Sequence, residues 1–414
     1  MTKSRWWVTC AIAVVLFTYI GYAGVVAPDN GAKHIDSHQF YVAGKCWLRA
    51  QSPYQIKDYH AMVKEILGNQ HWTFFYFPAA ITYCVPMALL DPSTSVLFQA
   101  FLSLIACGVI SYLCWHHFDP PALDRCEWLR KIAGLFILLS VSAIPSTIYT
   151  GQSSVLAVAG LLLCWAGLES GRFWPLVLGL WIASCKPHIT GAPFLIMWLS
   201  RIENKSIPKA LLLVAVASVA ILFIGDPHPW QSVPESLAEF SNLSINNPAR
   251  LIGMMPLLLW VGINPPVARI ICVILFISLV ICVIGINRVK YKGVGIRGYW
   301  GVLPFVFTGL LMPFQQYDLI VYAPLFFTAL IPRLGLWVGV TAIALLWRQS
   351  LVELLHLPVP INVVVSLGWL VLLCLTLADF AFPRKATERA EDGLSSTLAL
   401  DCCGRRAAGP SEPK

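Results

Sequence analysis

Apolar runs bounded by short polar or charged segments recur along the chain from residue 6 to about residue 382. A hydrocarbon core ~30 Å thick takes about 20 apolar residues of helix to cross and offers no water to an unpaired backbone group. The pattern therefore predicts an all-α polytopic membrane protein. Segments 119–131 (DPPALDRCEWLRK), 169–172 (ESGR), 201–209 (RIENKSIPK), 287–297 (NRVKYKGVGIR), 332–333 and the tail from residue 384 carry the Lys and Arg that mark an inner face. Between them the chain turns on the outer side, at 150–152, at 185–188, over 226–250, at 315–318 and near 356–360. This alternation gives about a dozen transmembrane helices with both termini inside, provided that 74–90 (FFYFPAAITYCVPMALL) dips into the membrane without crossing.

Lys3 and Arg5 ahead of the first run point to an uncleaved first helix rather than a signal peptide, although Val25-Val26-Ala27 is a passable small-residue site. Residues 1–383 read as a single transmembrane domain, with 28–73 as the first outer loop and 226–250 as the second. In the first loop Ile35, Phe40, Tyr41, Trp47 and Leu48 fall at loose helical spacing, which predicts a short amphipathic helix lying flat on the interface. Residues 384–414, rich in Ser, Thr, Gly, Arg and Pro, predict a disordered cytoplasmic tail. Residues 173–199 form a hairpin of roughly 13 residues per arm, about 20 Å of helix against ~30 Å of hydrocarbon. Its tip, Lys186, lies below the membrane surface, where a charged lysine costs about 2.5–3.5 kcal/mol and calls for a wet cavity or a counter-ion.

Composition strengthens the class without changing it: 57% of residues are hydrophobic and 12% charged, with a mean hydropathy of +0.71. The net charge of +8 is concentrated in the inner segments, so it orients the chain and does not imply nucleic acid. Thirteen cysteines show no CxxC and no histidine at metal-ligand spacing. They read as small buried hydrophobes, and no metal is expected.

Polar residues on the outer side need a reason. Asp36 alone would pass for a helix cap or a solvated charge. Gly151-Gln152-Ser153-Ser154 would pass for a capped turn, Lys186 for a snorkelling cation and Asp318 for a loop acid in water. Placed on one face, they describe a pocket with carboxylates at the rim, amide donors between and a cationic donor, Lys186 with His188 beside it, sunk toward the lipid. Such a pocket suits a phosphate carried on a lipid.

The ordered set DSHQFYVAG (36–44), SPY (52–54), FYFP (75–78), GQSS (151–154), ESGR leading to CKPH (185–188) and MPFQQYDLIVYAP (312–324) resembles glycosyltransferase family 87 over about residues 30–330. Where members often read YPP this chain has Phe77-Pro78-Ala79, where many read GQxN it has GQSS, and its late motif carries QQYD. The resemblance implies a GT-C fold and a polyprenyl-phosphate-sugar-dependent hexosyltransferase of the bacterial plasma membrane, with its site facing the periplasm. Mannose is the family's commonest sugar, and the acceptor is a lipid or glycan. Asp36 is then the catalytic acid. Lys186, His188 and Gln152 contact the donor phosphate, and Tyr41, Tyr54, Gln316, Tyr317 and Asp318 contact substrate. Cofactors are not expected beyond the lipid-linked sugar itself. A transporter, flippase or polymerase of lipid-linked glycans is the alternative, since intramembrane Lys and Asp also mark substrate paths.

Overall fold

The computed structural model describes residues 34–68, 72–118, 143–243, 251–290, 303–311, 315–322, 324 and 361–381. The first apolar run with its candidate cleavage site, the charged loop 119–131, the segment 332–333, the turn near 356–360 and the tail lie outside the described residues, as do parts of 226–250 and 287–297. All regular structure among the described residues is helical. The first outer loop folds as α1 (Ile35–Leu48) and α2 (Ile56–Leu67). A short helix, α3 (Ile81–Ala88), and a long one, α4 (Pro92–Phe118), follow. The middle of the chain holds α5 (Ala143–Thr150), α6 (Ser154–Ser170), α7 (Phe173–Ala183), α8 (Pro187–Ser200) and α9 (Ser206–Leu222). Then come α10 (Pro229–Ser241), α11 (Met254–Trp260), α12 (Pro265–Lys290), α13 (Leu303–Leu311) and α14 (Ile361–Ala381).

Two described stretches, Pro92–Cys114 and Pro265–Cys282, are long and apolar enough to cross a membrane. The dozen crossings expected from the pattern are not matched by spans of that length among the described residues, because α6, α7 and α9 are apolar but shorter. Within 74–90 the chain runs extended, makes a 3-10 turn at Pro78–Ala80 and enters α3, an eight-residue helix. Eight residues rise about 12 Å, too little for a crossing.

The helix expected in 34–50 forms, but not as an interfacial one. Ten residues of α1 are buried, on every side of the helix. Gly44 explains part of this: a Cβ there would overlap the carbonyl of Cys84, so α1 and α3 meet backbone to backbone. The flat amphipathic character belongs instead to α2, which buries Tyr59, Met62 and Val63 and exposes Lys57, Lys64 and Glu65.

Apolar burial among the described residues forms two large clusters, one built on α4, α6, α7 and α8 and one on α1, α2, α3 and the aromatic stretch 74–76, and a small third around Met255, Ala268 and Cys272. In the first, α6 and α7 come together through small residues. Cβ atoms on Gly160 and Gly167 would sit 2.6 Å from Ala183 N and 2.5 Å from Leu176 N, and one on Gly179 would overlap Cys164 N. Close backbone approach through small residues is how apolar helices pack tightly without a hydrophobic driving force between them. It fixes the start of α6 beside the end of α7, and the polar site lies there, between the two clusters.

Candidate functional site

α1 begins at His34, held in the left-handed region (φ 57°), whose N–H donates to Tyr149 O at the end of α5 (2.7 Å). No side chain caps this helix, so Asp36 in its first turn is not the cap that the plainest sequence reading would make it. It is 5% exposed. The turn before α6 is pressed against it: Gly151 has φ 78°, and a Cβ there would overlap Ser37 Oγ. Gln99 Nε2 in α4 lies 3.4 Å from both Gly151 O and Gln152 O, steadying that turn from the other side.

Gln152 Nε2 donates a short hydrogen bond to Asp36 Oδ2. The Tyr76 hydroxyl lies 3.0 Å from Asp36 Oδ1 and 2.8 Å from Gln152 Oε1. Over the Tyr76 ring, Lys186 Nζ sits 5.8 Å from the centroid. Lys186 is 2% exposed, and the counter-ion its burial demands is Asp318, whose Oδ1 is 3.1 Å from Nζ. Ser154 Oγ accepts from Lys186 Nζ (2.9 Å) and donates to Asp318 Oδ1 (2.8 Å). His188 Nε2 stands 3.5 Å from Asp318 Oδ2, and the Gln315 N–H donates to the same oxygen (3.3 Å). Asp36, Tyr76, Lys186 and Asp318 thus form one continuous row.

The two acids are set apart electrostatically. Burial pushes the Asp36 carboxyl up to about 6, against the opposing pull of the Lys186 charge and the bonds from Tyr76 and Gln152, while the Asp318 charge adds to the rise. Burial also opposes ionisation of Asp318, but Lys186, His188 and Ser154 together outweigh it and hold that carboxyl well below the usual range. One acid can exchange a proton near neutrality and the other remains a fixed anion.

The structure brings Asp36, Gln152, Lys186, His188 and Asp318 into a single site. It places two other residues named from the sequence elsewhere. The Tyr54 hydroxyl donates to Tyr76 O (2.6 Å) and supports the 74–76 stretch from behind. The Tyr41 hydroxyl points to Leu90 O (3.4 Å), with Lys45 over its ring (5.2 Å). Gln316 and Tyr317 lie in the 3-10 turn Gln316–Tyr322, and their side chains are outside the described ones. Two residues that sequence reasoning left out join the site, Tyr76 and Ser154. Tyr76 was visible only as part of FYFP, and Ser154 as an ordinary candidate cap. No group of three or more His, Cys, Asp or Glu side chains among the described residues is placed to hold a metal ion.

A family model described as glycosyltransferase family 87 matches residues 74–313, more than half of the chain. No curated protein matches, and no solved structure matches. Tyr76, Gln152, Ser154, Lys186 and His188 fall inside the matched range; Asp36 and Asp318 flank it.

Proposed function

The chain belongs to glycosyltransferase family 87, and on that footing we propose that it transfers a hexose, mannose in the first instance, from a polyprenyl-phosphate donor to a lipid or glycan acceptor. The site faces the outer side of a bacterial plasma membrane. The observation that carries this reading is the row in which Asp36, poised to titrate near neutrality, is separated by one aromatic ring from the buried cation Lys186.

The acceptor hydroxyl attacks the anomeric carbon as its proton passes to Asp36. The bond from that carbon to the phosphate oxygen breaks, and its electron pair leaves with the polyprenyl phosphate. Attack opposite the leaving group inverts the anomeric centre. General-base help of this kind contributes about 10²- to 10⁴-fold. Lys186 and His188 stabilise the phosphate as it gains charge, and Asp318, bonded to both, orients them. A monophosphate leaving group held by the Lys186 cation and the His188 donor calls for no resident metal. An apolar cleft of about 540 Å³ lined by Trp174, Leu178, Trp181 and Leu213 lies along α7 and α9. It has no side chain for the chemistry and is assigned to the prenyl chain, because α7 leads directly to Lys186.

Purified protein incubated with labelled polyprenyl-phosphate hexose, or with the same hexose on a nucleotide diphosphate, and a panel of glycolipid and glycan acceptors tests the reading. Transfer from the lipid-linked donor alone, with inverted linkage, is expected. Transfer from the nucleotide donor, or substrate movement across vesicles without bond formation, contradicts it.

A further inference from the structure

Tyr76 is 1% exposed and has no place in the transfer step as just written. Its position is over-determined. The ring is in edge contact with Phe40 (4.5 Å between centroids) and stacked on Phe75 (4.3 Å), and its backbone carbonyl is held by the Tyr54 hydroxyl (2.6 Å). The hydroxyl has one hydrogen and two acceptors in reach, Asp36 Oδ1 at 3.0 Å and Gln152 Oε1 at 2.8 Å. Which acceptor takes the hydrogen depends on Asp36.

With Asp36 ionised, the charge-assisted bond to the carboxylate is the stronger one, and Gln152 Nε2 donates to the second carboxylate oxygen. Once Asp36 holds a proton on Oδ1, that O–H donates to the Tyr76 oxygen and the tyrosine hydrogen turns to Gln152 Oε1. The ionised carboxylate thus keeps both of its donors, the protonated form pairs all three side chains in a ring, and neither state requires a heavy atom to move.

Resting on the reading of Asp36 as the base, we propose that Tyr76 is its positioning residue: the hydroxyl hydrogen alternates between Asp36 and Gln152 as Asp36 gives up and accepts a proton, while the ring sets the carboxyl against Lys186. The proton that arrives on Asp36 is the acceptor's, and it passes to water after product leaves; no other group is oxidised, reduced or consumed.

The groups that face Asp36 are Lys186 from the start of α8, Asp318 from the 316–322 turn and Tyr59 from α2, besides Tyr76 and Gln152 themselves. On its own helix the nearest titratable neighbours in sequence are His34 and His38. The sequences of α3 and α5 contain no acid, Lys, Arg or His, and the two histidines of α4, His116 and His117, stand at its far end. Of these groups, Tyr76 is the one whose hydroxyl bonds Asp36 directly and can be removed by a one-atom change that leaves every charge in place; the Tyr59 hydroxyl bonds Gln39 O instead.

Tyr76→Phe is expected to lower kcat by about 10- to 100-fold and to move the acid limb of the rate profile upward by about one pH unit, because a bond that favours the carboxylate is gone. Donor KM stays within about twofold, since the ring against Lys186 remains. Tyr54→Phe removes the bond to the Tyr76 carbonyl but leaves every side-chain hydrogen bond to Asp36 in place, so its profile keeps the wild-type midpoint. A Tyr76→Phe enzyme with the wild-type midpoint and kcat overturns the proposal. So does a loss of yield and activity shared equally by Tyr76→Phe and Tyr54→Phe, which would make Tyr76 part of the scaffold only.

The infrared C=O band of protonated Asp36, assigned by its disappearance in Asp36→Asn, gives a readout independent of turnover. Its midpoint is expected to rise in Tyr76→Phe, and an unchanged midpoint overturns the proposal. If the wild-type protein transfers no hexose from a lipid phosphate, the functional reading fails while this titration still decides the coupling.

Discussion

At the residue scale, the site sets two carboxyls apart by environment. Asp36 is lifted to about 6 by burial, so the ionised base forms as pH rises through that value. Transfer should therefore rise through about pH 6 and level off above it, which initial rates across pH will show. The same shift opposes folding: between its ordinary value and about 6 the folded state holds a proton that the unfolded chain releases. Stability thus falls as pH rises through that window, by about 3 kcal/mol in all. Asp36→Asn should accordingly keep or raise the thermal midpoint at neutral pH while transfer is lost. Asp318 has the opposite sign, since its carboxyl is depressed and its contribution is present at neutrality and lost only in strong acid. Removing one member of the buried Lys186–Asp318 pair should cost about 3–5 kcal/mol, because the other charge is left unpaired. The double change Lys186→Met with Asp318→Leu should recover much of that stability and none of the activity, as thermal melts and assays will show. From the sequence, the charged members of the site stood out because a charge beside an apolar run needs a reason. Tyr76 did not, since one neutral ring among Phe74, Phe75 and Phe77 looks like packing until its hydroxyl is seen between two polar partners.

At the element scale, small residues decide where the polar ones meet. Gly160 and Gly179 bring α6 and α7 into backbone contact, and this places Ser154 beside Lys186. Gly179→Val should push the helices apart, cost about 1–3 kcal/mol or more through overpacking, and lower transfer by raising donor KM, measurable from melts and kinetics on the same preparation. The helix in the first loop shows what spacing alone misses. The apolar positions of α1 suggested one buried stripe, yet Gly44 lets α3 close on another side and the helix is enclosed. Periodicity counts side chains that seek burial; it does not register a missing side chain that permits it.

At the scale of the whole molecule, the site occupies the seam between the two large apolar clusters. Asp36 and Tyr76 come from the side of α1 and the 74–76 stretch. Gln152, Ser154, Lys186 and Asp318 come from the side of α6 and α8. The all-helical class was legible from hydropathy, whereas the number of crossings was not, because several apolar helices are shorter than a span. The proposed sidedness, inferred from where Lys and Arg concentrate, is testable directly. In a background cleared of reactive cysteines, Lys57→Cys on exposed α2 should react with an impermeant maleimide in intact spheroplasts. Glu203→Cys, exposed in the 201–205 turn, should react only after permeabilisation; the reverse pattern would turn the site to the cytoplasm. Asp36 is proposed to act as the base in transfer from a lipid-linked sugar. The most direct measurement is the rate at which purified wild-type and Asp36→Asn proteins move labelled hexose from polyprenyl phosphate to acceptor, at saturating donor and neutral pH. A loss of about 10²- to 10⁴-fold or more in the variant, with its thermal midpoint preserved, is the predicted result, and turnover by Asp36→Asn at the wild-type rate would contradict it.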